Sequence, residues 1–206
     1  MAKRMAIFAS GRGSNAMALQ EACQVGQIDA KVVVLVSDDK NAEVLKKAQS
    51  WGVPTIVAER KSFASKDDFE AYLLAQLEVY QVDFIALAGY MRLLSATFIS
   101  RYERRIVNIH PALLPSFTGL HAQRQAVAAG VKVAGCTVHF VDAGMDTGPI
   151  ISQTAVPVYD EDTEDTLSAR ILTVEHSTYC RAVALYCADK LTFSGRLVVG
   201  AHKKTI

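Results

Sequence analysis

Short apolar runs alternate with longer amphipathic segments through the first half of the chain. The runs are rich in β-branched and aromatic residues and end at glycine, serine or aspartate, as buried strands do. Between them apolar residues recur at helical spacing, and in Lys66–Tyr80 they form a stripe along one face. This alternation is typical of a parallel sheet whose strands are joined by helices. The predicted strands are residues 5–10, 32–37, 55–57 and 84–88, and the predicted helices are residues 15–25, 42–51 and 66–80.

The pattern changes after a short apolar run at Ile106–His110, which predicts a further strand. A short helix predicted at residues 122–129 is followed by two β-rich runs, Val131–Val141 and Ile150–Val158. The absence of a helical pattern between these two runs favours an antiparallel pair. We therefore predict an α/β fold with a Rossmann-like, mostly parallel sheet flanked by helices, and with an antiparallel addition in the C-terminal half.

The last part of the chain predicts one long helix and a small hairpin. The helix covers Thr163–Lys190, and Thr163 and Asp165 are both candidates for its N-terminal cap. Residues 191–201 predict the hairpin, which turns at Ser194-Gly195. Because the chain contains no internal repeat, low-complexity segment or linker, we expect residues 1–206 to form a single domain.

Composition and charge are those of an ordinary globular protein. Half of the 206 residues are hydrophobic, 21% are charged and the formal net charge is +1, so we expect no nucleic-acid or membrane partner. Arg101, Arg104 and Arg105 form the strongest local basic patch, which we interpret as solvated surface. The four cysteines form no C-x-x-C pair and no metal-ligand spacing, so we expect reduced thiols, no metal and a cytoplasmic protein. The N-terminal apolar run, Met5–Ala9, is too short for the core of a signal peptide, which agrees with this location.

Two segments, at or after the ends of apolar runs, carry the polar side chains that best suit catalysis. Asn108 and His110 alternate within a predicted strand that Pro111 ends, so both side chains should share one face at its carboxyl end. Open α/β sheets bind their ligands at that end. Asp146, in the sequence Met-Asp-Thr-Gly-Pro, supplies a carboxylate. An amide, an imidazole and a carboxylate are the groups that hold a carbonyl oxygen and stabilise its developing charge.

A glycine-rich segment, Ser10-Gly-Arg-Gly-Ser-Asn15, separates the first strand from the first helix. Backbone N–H groups at a helix N-terminus favour an anion, so phosphate binding is the functional interpretation, and a tight turn is the structural one. The spacing from Gly11 to Ala16, with Asp38 beyond, also matches a dinucleotide fingerprint and keeps an NAD-dependent oxidoreductase as an alternative. That alternative leaves the Asn108 and His110 strand unexplained.

The segment Leu87-Ala-Gly-Tyr-Met-Arg-Leu-Leu94 follows another predicted strand. Gly89 permits a sharp turn, Arg92 offers a planar charged donor, and the neighbouring apolar residues offer a flat surface. This mixture suits a heteroaromatic ring with a polar edge, although a helix start packed on the core is an equally good interpretation.

Together these segments resemble the folate-dependent formyltransferase family, and within it the glycinamide ribonucleotide (GAR) transformylases. The resemblance runs over about residues 5 to 190. Its ordered motifs are Ser10-Gly-Arg-Gly-Ser-Asn15, Leu87-Ala-Gly-Tyr-Met-Arg92, Asn108-Ile-His-Pro-Ala-Leu-Leu-Pro115, Gly119-Leu-His121, Val138-His-Phe-Val141, Met145-Asp-Thr-Gly-Pro149 and Glu175-His176.

The resemblance implies transfer of the formyl group of 10-formyltetrahydrofolate, the co-substrate, to the amine of GAR in purine biosynthesis. It implies a phosphate-binding half at residues 1–100, a catalytic and folate-binding half at 101–190, and a hairpin or tail at 191–206. The small-molecule partners would be GAR and the folate, with no metal, and the protein would be a monomer or homodimer. The implied catalytic residues are Asn108, His110 and Asp146. The implied GAR-binding residues are Gly13, Ser14, Asn15 and Glu175. The implied folate-binding residues are Lys66, Met91, Arg92, Leu93, Leu94, Asn108, Asp142 and Asp146.

In that chemistry the substrate amine attacks the formyl carbon, and negative charge grows on the formyl oxygen. Asn108 would donate a hydrogen bond to this oxygen, while a protonated His110 would stabilise it and act as general acid. The carboxylate of Asp146 would favour the charged imidazolium. His121 and His139 belong to the same motifs, and we interpret them as supporting residues.

Two departures from the family pattern concern ligand binding. Lys66 stands where an arginine is more usual, so it keeps a positive charge for the folate tail but loses the bidentate fork. Leu172 replaces a polar residue near the expected ribonucleotide site. Within the wider family, a formyltetrahydrofolate hydrolase would carry an added N-terminal domain and a methionyl-tRNA formyltransferase an added C-terminal one, and we expect neither from the length of the chain.

Overall fold

The structure is a computed structural model that describes residues 1–200. Residues 201–206, which include His202 and the end of the predicted hairpin, lie outside the described residues. The strands are β1 (Lys3–Phe8), β2 (Ala30–Ser37), β3 (Thr55–Val57), β4 (Phe84–Leu87), β5 (Ile106–His110), β6 (Val133–Phe140), β7 (Ile150–Pro157), β8 (Thr192–Ser194) and β9 (Leu197–Val199). The α-helices are α1 (Ser14–Gln24), α2 (Glu43–Ser50), α3 (Lys66–Val79), α4 (Ala96–Arg101), α5 (Ala122–Ala128) and α6 (Glu164–Cys187).

Seven of these strands form one sheet in the order β3-β2-β1-β4-β5-β6-β7, and β8 pairs with β9 separately. Strand β1 is parallel to both β2 and β4, whereas β6 and β7 are antiparallel. The predicted α/β fold with an antiparallel addition is therefore confirmed. The chain moves outward through β2 and β3 and then returns to add β4 on the other side of β1. The carboxyl ends of β1 and β4 thus flank the reversal in strand order where open α/β sheets bind ligands.

The chain divides into two compact units, and the first of them ends at Val107. Single-domain behaviour stays a prediction. In the first unit β1 is completely buried from Met5 onward, and Phe8 meets Tyr90 and Phe98 edge-on at ring-centroid distances of 5.2 and 6.3 Å. These contacts attach the segment after β4 to the strand at the centre of the unit's sheet.

In the second unit, α6 packs on β6, β7 and α5. Its N-terminal cap is Thr163, whose hydroxyl accepts a hydrogen bond from the Thr166 backbone while the Thr166 side chain accepts one from the Thr163 backbone. This reciprocal capping box decides between the two caps that the sequence offered. The helix ends at Cys187, earlier than predicted. Within the described part of the chain, no helix is both long and apolar enough to cross a membrane.

The β8–β9 hairpin belongs to the second unit and contacts it through β7 and through the side chains of Phe193 and Arg196. The Phe193 ring lies 5.0 Å from that of Phe140 on β6. The guanidinium of Arg196, in the turn, donates to the backbone carbonyl of Thr147. The hairpin is therefore attached directly to the segment that follows Asp146.

Two elements differ from the prediction. Helix α4 and a 3-10 turn at Arg60–Ser62 were not predicted, because each is too short for a repeating apolar pattern.

The basic patch at the C-terminal end of α4 lies on the surface, as predicted. Arg101 pairs with Glu78 at 3.2 Å, and Arg105 stacks 4.8 Å above the Tyr102 ring.

Candidate active site

Four polar side chains form a connected cluster in the second unit. Asn108 and His110 lie on β5, His139 lies on β6, and Asp146 follows β6. Asn108 Nδ2 is 3.1 Å from His139 Nε2, and the Asp146 carboxylate lies 3.4 Å from His110 Nδ1 and 3.8 Å from His139 Nε2. We call Asn108, His110, His139 and Asp146 the polar cluster. The structure thus brings together the three residues that the sequence named as catalytic, and adds His139 to them.

His139 is buried and fixes the orientation of the Asn108 amide. Its Nδ1 lies 2.9 Å from the Phe140 carbonyl, which can only accept, so Nδ1 carries the proton. Burial lowers the pKa of His139, so the ring is neutral and its Nε2 is an acceptor. Asn108 Nδ2 must therefore donate to it. One amide hydrogen of Asn108 is committed to His139, and the second stays available to another acceptor.

His110 is held at both ring nitrogens. Its Nε2 donates to the Phe117 carbonyl at 2.8 Å, and its Nδ1 faces Asp146. Asp146 also accepts a hydrogen bond from the Gly119 backbone at 2.7 Å. The carboxylate that faces His110 Nδ1 is therefore itself oriented.

The backbone around the cluster is unusual at several points. Asp146 has φ 54° and Phe117 has φ 56°, which is the left-handed region that few non-glycine residues adopt. Opposite Val138 and His139 of β6, the pairing skips Ile151 of β7. Strained residues and strand irregularities of this kind are common at active sites, where they aim particular groups.

Asp142 and the glycines near it shape the segment that carries Asp146. The Asp142 carboxylate accepts hydrogen bonds from the Gly144 backbone at 3.1 Å and from the Thr147 hydroxyl at 2.6 Å. A Cβ at Gly148 would lie 1.7 Å from the Phe140 carbonyl oxygen, so only glycine fits there. Asp142 thus braces this segment, whatever further contacts it makes with a ligand.

Thr137 braces the segment after His110. Its fully buried hydroxyl donates to the Ala112 carbonyl at 2.6 Å and accepts from the Leu114 backbone at 3.0 Å. It also accepts a hydrogen bond from Gln153 Nε2 at 2.9 Å, and that nitrogen reaches the Leu114 carbonyl as well. These bonds tie β6 and β7 to the chain between His110 and Phe117.

Glu175, which the family resemblance implies is a GAR-binding residue, is a buried carboxylate on α6 with 8% exposure. Burial, and then the charge of Glu175, raises the pKa of Cys136 to about 11. The Cys136 thiol is therefore protonated and unreactive at neutral pH.

His121, which the sequence placed among the supporting residues, lies outside the polar cluster. It is exposed and lies 3.5 Å from Glu164.

In the first unit, the loop Ser10–Gly13 connects β1 to α1. Gly13 has φ 73° and precedes the first residue of the helix, so the first N–H groups of α1 follow it directly. A Cβ at Gly13 would lie 2.2 Å from Val44 Cγ2 on α2, which excludes any other residue. Lys47 of α2 donates to the Arg12 carbonyl at 2.7 Å. Ser14 and Asn15 occupy the first turn, where an anion is favoured.

Residues 88–95, between β4 and α4, form the segment in which a folate ring was expected; we call it the β4–α4 loop. Met91 and Leu93 are 64% and 63% exposed in it, and Leu94 is partly buried. One donor of the Arg92 guanidinium is already engaged, since its Nε lies 2.6 Å from the Asp38 carboxylate.

Two carboxylates of the first unit contact the β4–α4 loop: Asp38, which the sequence placed only in the dinucleotide alternative, and Glu70, which it placed in no site. Asp38 also accepts a hydrogen bond from Ser10, which opposes the ribose-binding role that the dinucleotide alternative needs for it. Glu70 is 4% exposed and lies 3.7 Å from Lys66. Lys66 is therefore paired within its own helix. A glutamate at a buried position of the α3 stripe was the only signal in the sequence for Glu70.

The comparisons with known proteins agree with one another. The sequence model of a family described as formyl transferase matches residues 3–183. The phosphoribosylglycinamide formyltransferase of Bacillus subtilis (strain 168) is 46% identical over 177 residues, which cover 86% of this chain and 91% of that protein. The crystal structure of glycinamide ribonucleotide transformylase 1 from Symbiobacterium toebii matches with a TM-score of 0.93 and 45% identity, over 95% of this chain and 92% of that one.

A larger relative also matches. The trifunctional purine biosynthetic protein adenosine-3 of Drosophila melanogaster is 47% identical over 185 residues, which cover 89% of this chain. The match spans only 14% of that protein's length. Because the family model matches most of the chain, and the bacterial relative is matched over most of both lengths, the chain belongs to the formyl transferase family.

Proposed function

We propose that this protein transfers the formyl group of 10-formyltetrahydrofolate to the amine of GAR, which gives formylglycinamide ribonucleotide in de novo purine biosynthesis. The observation that carries the proposal is the polar cluster in a chain that is 46% identical to a phosphoribosylglycinamide formyltransferase. Cytoplasmic location, small-molecule partners without nucleic acid or membrane, and a monomeric or homodimeric state belong to the same proposal.

In this proposal Asn108 stabilises the charge that develops on the formyl oxygen. Its amide already donates one hydrogen to His139, and the remaining N–H is directed to the oxygen. Because the acceptor at His139 fixes the amide, this donor does not have to reorient during the reaction. Preorganised donors of this kind account for a large share of catalysis in acyl transfer.

His110 is the proposed general acid. The Asp146 carboxylate lies 3.4 Å from its Nδ1, where a negative charge faces the imidazolium that the proposed mechanism uses. Its Nε2–H now donates to the Phe117 carbonyl, so donation to the formyl oxygen requires exchange of that partner. Hydrogen bonds of catalytic groups often rearrange when the substrate binds.

The substrates are assigned to the remaining predicted residues. Gly13, Ser14 and Asn15 bind the GAR phosphate at the N-terminus of α1, and Glu175 binds its ribose hydroxyls. The folate-binding group consists of Met91, Arg92, Leu93 and Leu94 of the β4–α4 loop together with Lys66, Asn108, Asp142 and Asp146. The exposed Met91 and Leu93 supply an apolar surface for the pterin ring.

Lys66 carries the weakest support among these assignments. Its ammonium group lies 3.7 Å from Glu70, and its side chain is 48% exposed. A folate carboxylate would have to compete with Glu70 for this charge. We therefore propose only a weak contact between Lys66 and the folate tail.

Folate turnover with and without GAR tests the function. The purified protein is mixed with 10-formyltetrahydrofolate, and the release of tetrahydrofolate is followed by absorbance. We expect turnover that depends on GAR and yields formylated GAR in equal amounts. Equal turnover in the absence of GAR would instead identify a hydrolase, and tight NAD binding without folate turnover would identify an oxidoreductase.

A further inference from the structure

The β4–α4 loop combines an exposed apolar surface with an irregular backbone. Residues 88–95 belong to no helix or strand, and backbone hydrogen bonds to the end of β1 hold only Ala88 and Gly89 at the start of the segment. Met91 and Leu93 nevertheless point two large apolar side chains outward, with more than half of each exposed. An irregular loop that holds apolar side chains in water needs other contacts to keep one conformation.

The first such contact is made at the start of the loop by Asp38, which follows β2. One carboxylate oxygen accepts the Ser10 hydroxyl at 2.5 Å, and the other lies 2.6 Å from Arg92 Nε. Ser10 in turn accepts a hydrogen bond from the Met91 backbone at 3.0 Å, and its own N–H donates to the Gly89 carbonyl at 3.1 Å. The Asp38 side chain is 8% exposed, whereas the Arg92 side chain that it pairs with is 40% exposed.

The second contact is made at the end of the loop by Glu70 of α3. One of its oxygens accepts the Ser95 backbone N–H at 2.8 Å, and the other accepts the Ser95 hydroxyl. The same hydroxyl accepts from the Phe98 backbone and caps α4. Glu70 is buried, and its only ion pair described within residues 1–200 is the 3.7 Å contact with Lys66.

We propose that Asp38 and Glu70 are positioning residues for folate binding, which hold the two ends of the β4–α4 loop so that its apolar face is preformed. It follows that the Arg92 side chain acts through Asp38, and not by contacting the folate with its guanidinium group. This inference rests on the proposed function. A preformed loop spares the ligand the entropy of ordering it, so loss of either carboxylate weakens binding without touching the reacting groups.

The first test separates folate affinity from catalysis in Asp38→Ala and Glu70→Ala. We expect the KM for 10-formyltetrahydrofolate to rise by about tenfold in each, which corresponds to about 1.4 kcal/mol. The kcat at saturating folate should stay within about twofold of the wild-type value, because the polar cluster is unchanged. For Glu70→Ala, the dissociation constant of GAR should also stay unchanged.

Matched controls come from the same elements. Asp39→Ala removes the neighbouring carboxylate, which accepts from the Asn41 backbone and is exposed. Glu78→Ala removes an exposed glutamate of α3 that pairs with Arg101. Both should keep the wild-type KM for folate. Where an alanine variant does not fold, Asp38→Asn and Glu70→Gln keep the side-chain size and should raise the KM in the same direction.

A double-mutant cycle tests the role of Arg92. If Arg92 acts through Asp38, the double variant Asp38→Ala, Arg92→Ala should have a folate KM no higher than that of the worse single variant. Multiplied effects would mean that the guanidinium binds folate independently, and would overturn this part of the inference. An unchanged folate KM in folded Asp38→Ala and Glu70→Ala would overturn the whole.

Amide hydrogen exchange measures the stability of the β4–α4 loop without depending on enzymatic activity. The N–H groups of Met91 and Ser95 should exchange about tenfold faster in Asp38→Ala and Glu70→Ala, respectively, than in the wild type, because each loses a buried support. If wild-type protein shows no GAR-dependent turnover, the proposed function fails while this measurement still decides whether the carboxylates hold the loop. Unchanged exchange at both amides would contradict the inference even in an active enzyme.

Discussion

The amide nitrogen of Asn108 lies 3.1 Å from His139 Nε2, and this contact determines which way the amide faces. Since the Phe140 carbonyl places the proton of His139 on Nδ1, Nε2 can only accept. An Asn108 amide turned by 180° would place its oxygen against a ring nitrogen lone pair. His139 therefore acts on the proposed reaction through Asn108, although no role beyond support was predicted for it.

His139→Ala should lower kcat by about tenfold, because Asn108 loses the acceptor that orients it but keeps its own N–H groups. Loss of an oxyanion donor itself typically costs on the order of a hundredfold to a thousandfold, so the effect should stay below that of Asn108→Ala. Steady-state kinetics with saturating folate and GAR measure it. His121→Ala, outside the cluster, is the control and should retain wild-type kcat.

His110→Ala and Asp146→Asn should each reduce kcat by at least about a hundredfold while GAR still binds. Asparagine tolerates the left-handed backbone at position 146, so the second substitution removes the charge and leaves the local fold in place. Rapid-quench measurement of formyl transfer, together with calorimetric titration of GAR, separates the two effects. A near-normal rate in either variant would exclude the proposed mechanism.

The lowered pKa of His139 predicts a pH dependence of stability. Above the ordinary value of 6.5 the ring is neutral in both the folded and the unfolded chain, so it contributes nothing. Below that value the unfolded chain binds a proton that the folded protein resists, and the free energy of unfolding should fall as the pH decreases. Urea unfolding between about pH 7.5 and 5 measures this slope. A His139→Gln variant with the same slope as the wild type would contradict the assignment.

Thr137→Val should reduce the free energy of unfolding by about 2 to 3 kcal/mol, since the isosteric side chain leaves buried groups of Ala112, Leu114 and Gln153 without this partner. Thermal and urea unfolding measure the change. Thr173→Val serves as the comparison, because that exposed hydroxyl only donates to a carbonyl one helical turn back. A loss equal in both variants would mean that the Thr137 hydrogen bonds stabilise little.

The alternation of apolar and polar residues was sufficient to predict most of the fold. Strands such as Thr55–Val57 were predicted at their observed bounds, and helix ends differ by a few residues, because burial patterns define the middle of an element better than its ends. Helix α4 was not predicted because only Phe98 and Ile99 of its six residues are buried, too few to show a helical pattern. The order of the strands in the sheet also lay beyond the sequence, since it depends on which distant segments pair.

The candidate site also has a part that the sequence predicts and a part that only the folded chain shows. The motifs named Asn108, His110 and Asp146, and the structure brings these side chains together. The partners that orient them include backbone carbonyls, such as that of Phe117, which carry no sequence signal. The dinucleotide alternative assigns Asp38 to a ribose hydroxyl, and only the folded chain shows that its two carboxylate oxygens already contact Ser10 and Arg92.

The C-terminal hairpin matters for how the chain is handled in the laboratory. Arg196 holds the carbonyl of Thr147, one residue beyond Asp146, and Phe193 covers Phe140, one residue beyond His139. Removing residues from Thr192 onward to obtain a shorter protein for crystallisation would therefore leave every proposed catalytic side chain in the sequence, yet release the segments that carry Asp146 and the supporting residue His139. A polypeptide trimmed to the boundaries of the family match, residues 3–183, would be a poor substitute for the 206-residue chain in kinetic work.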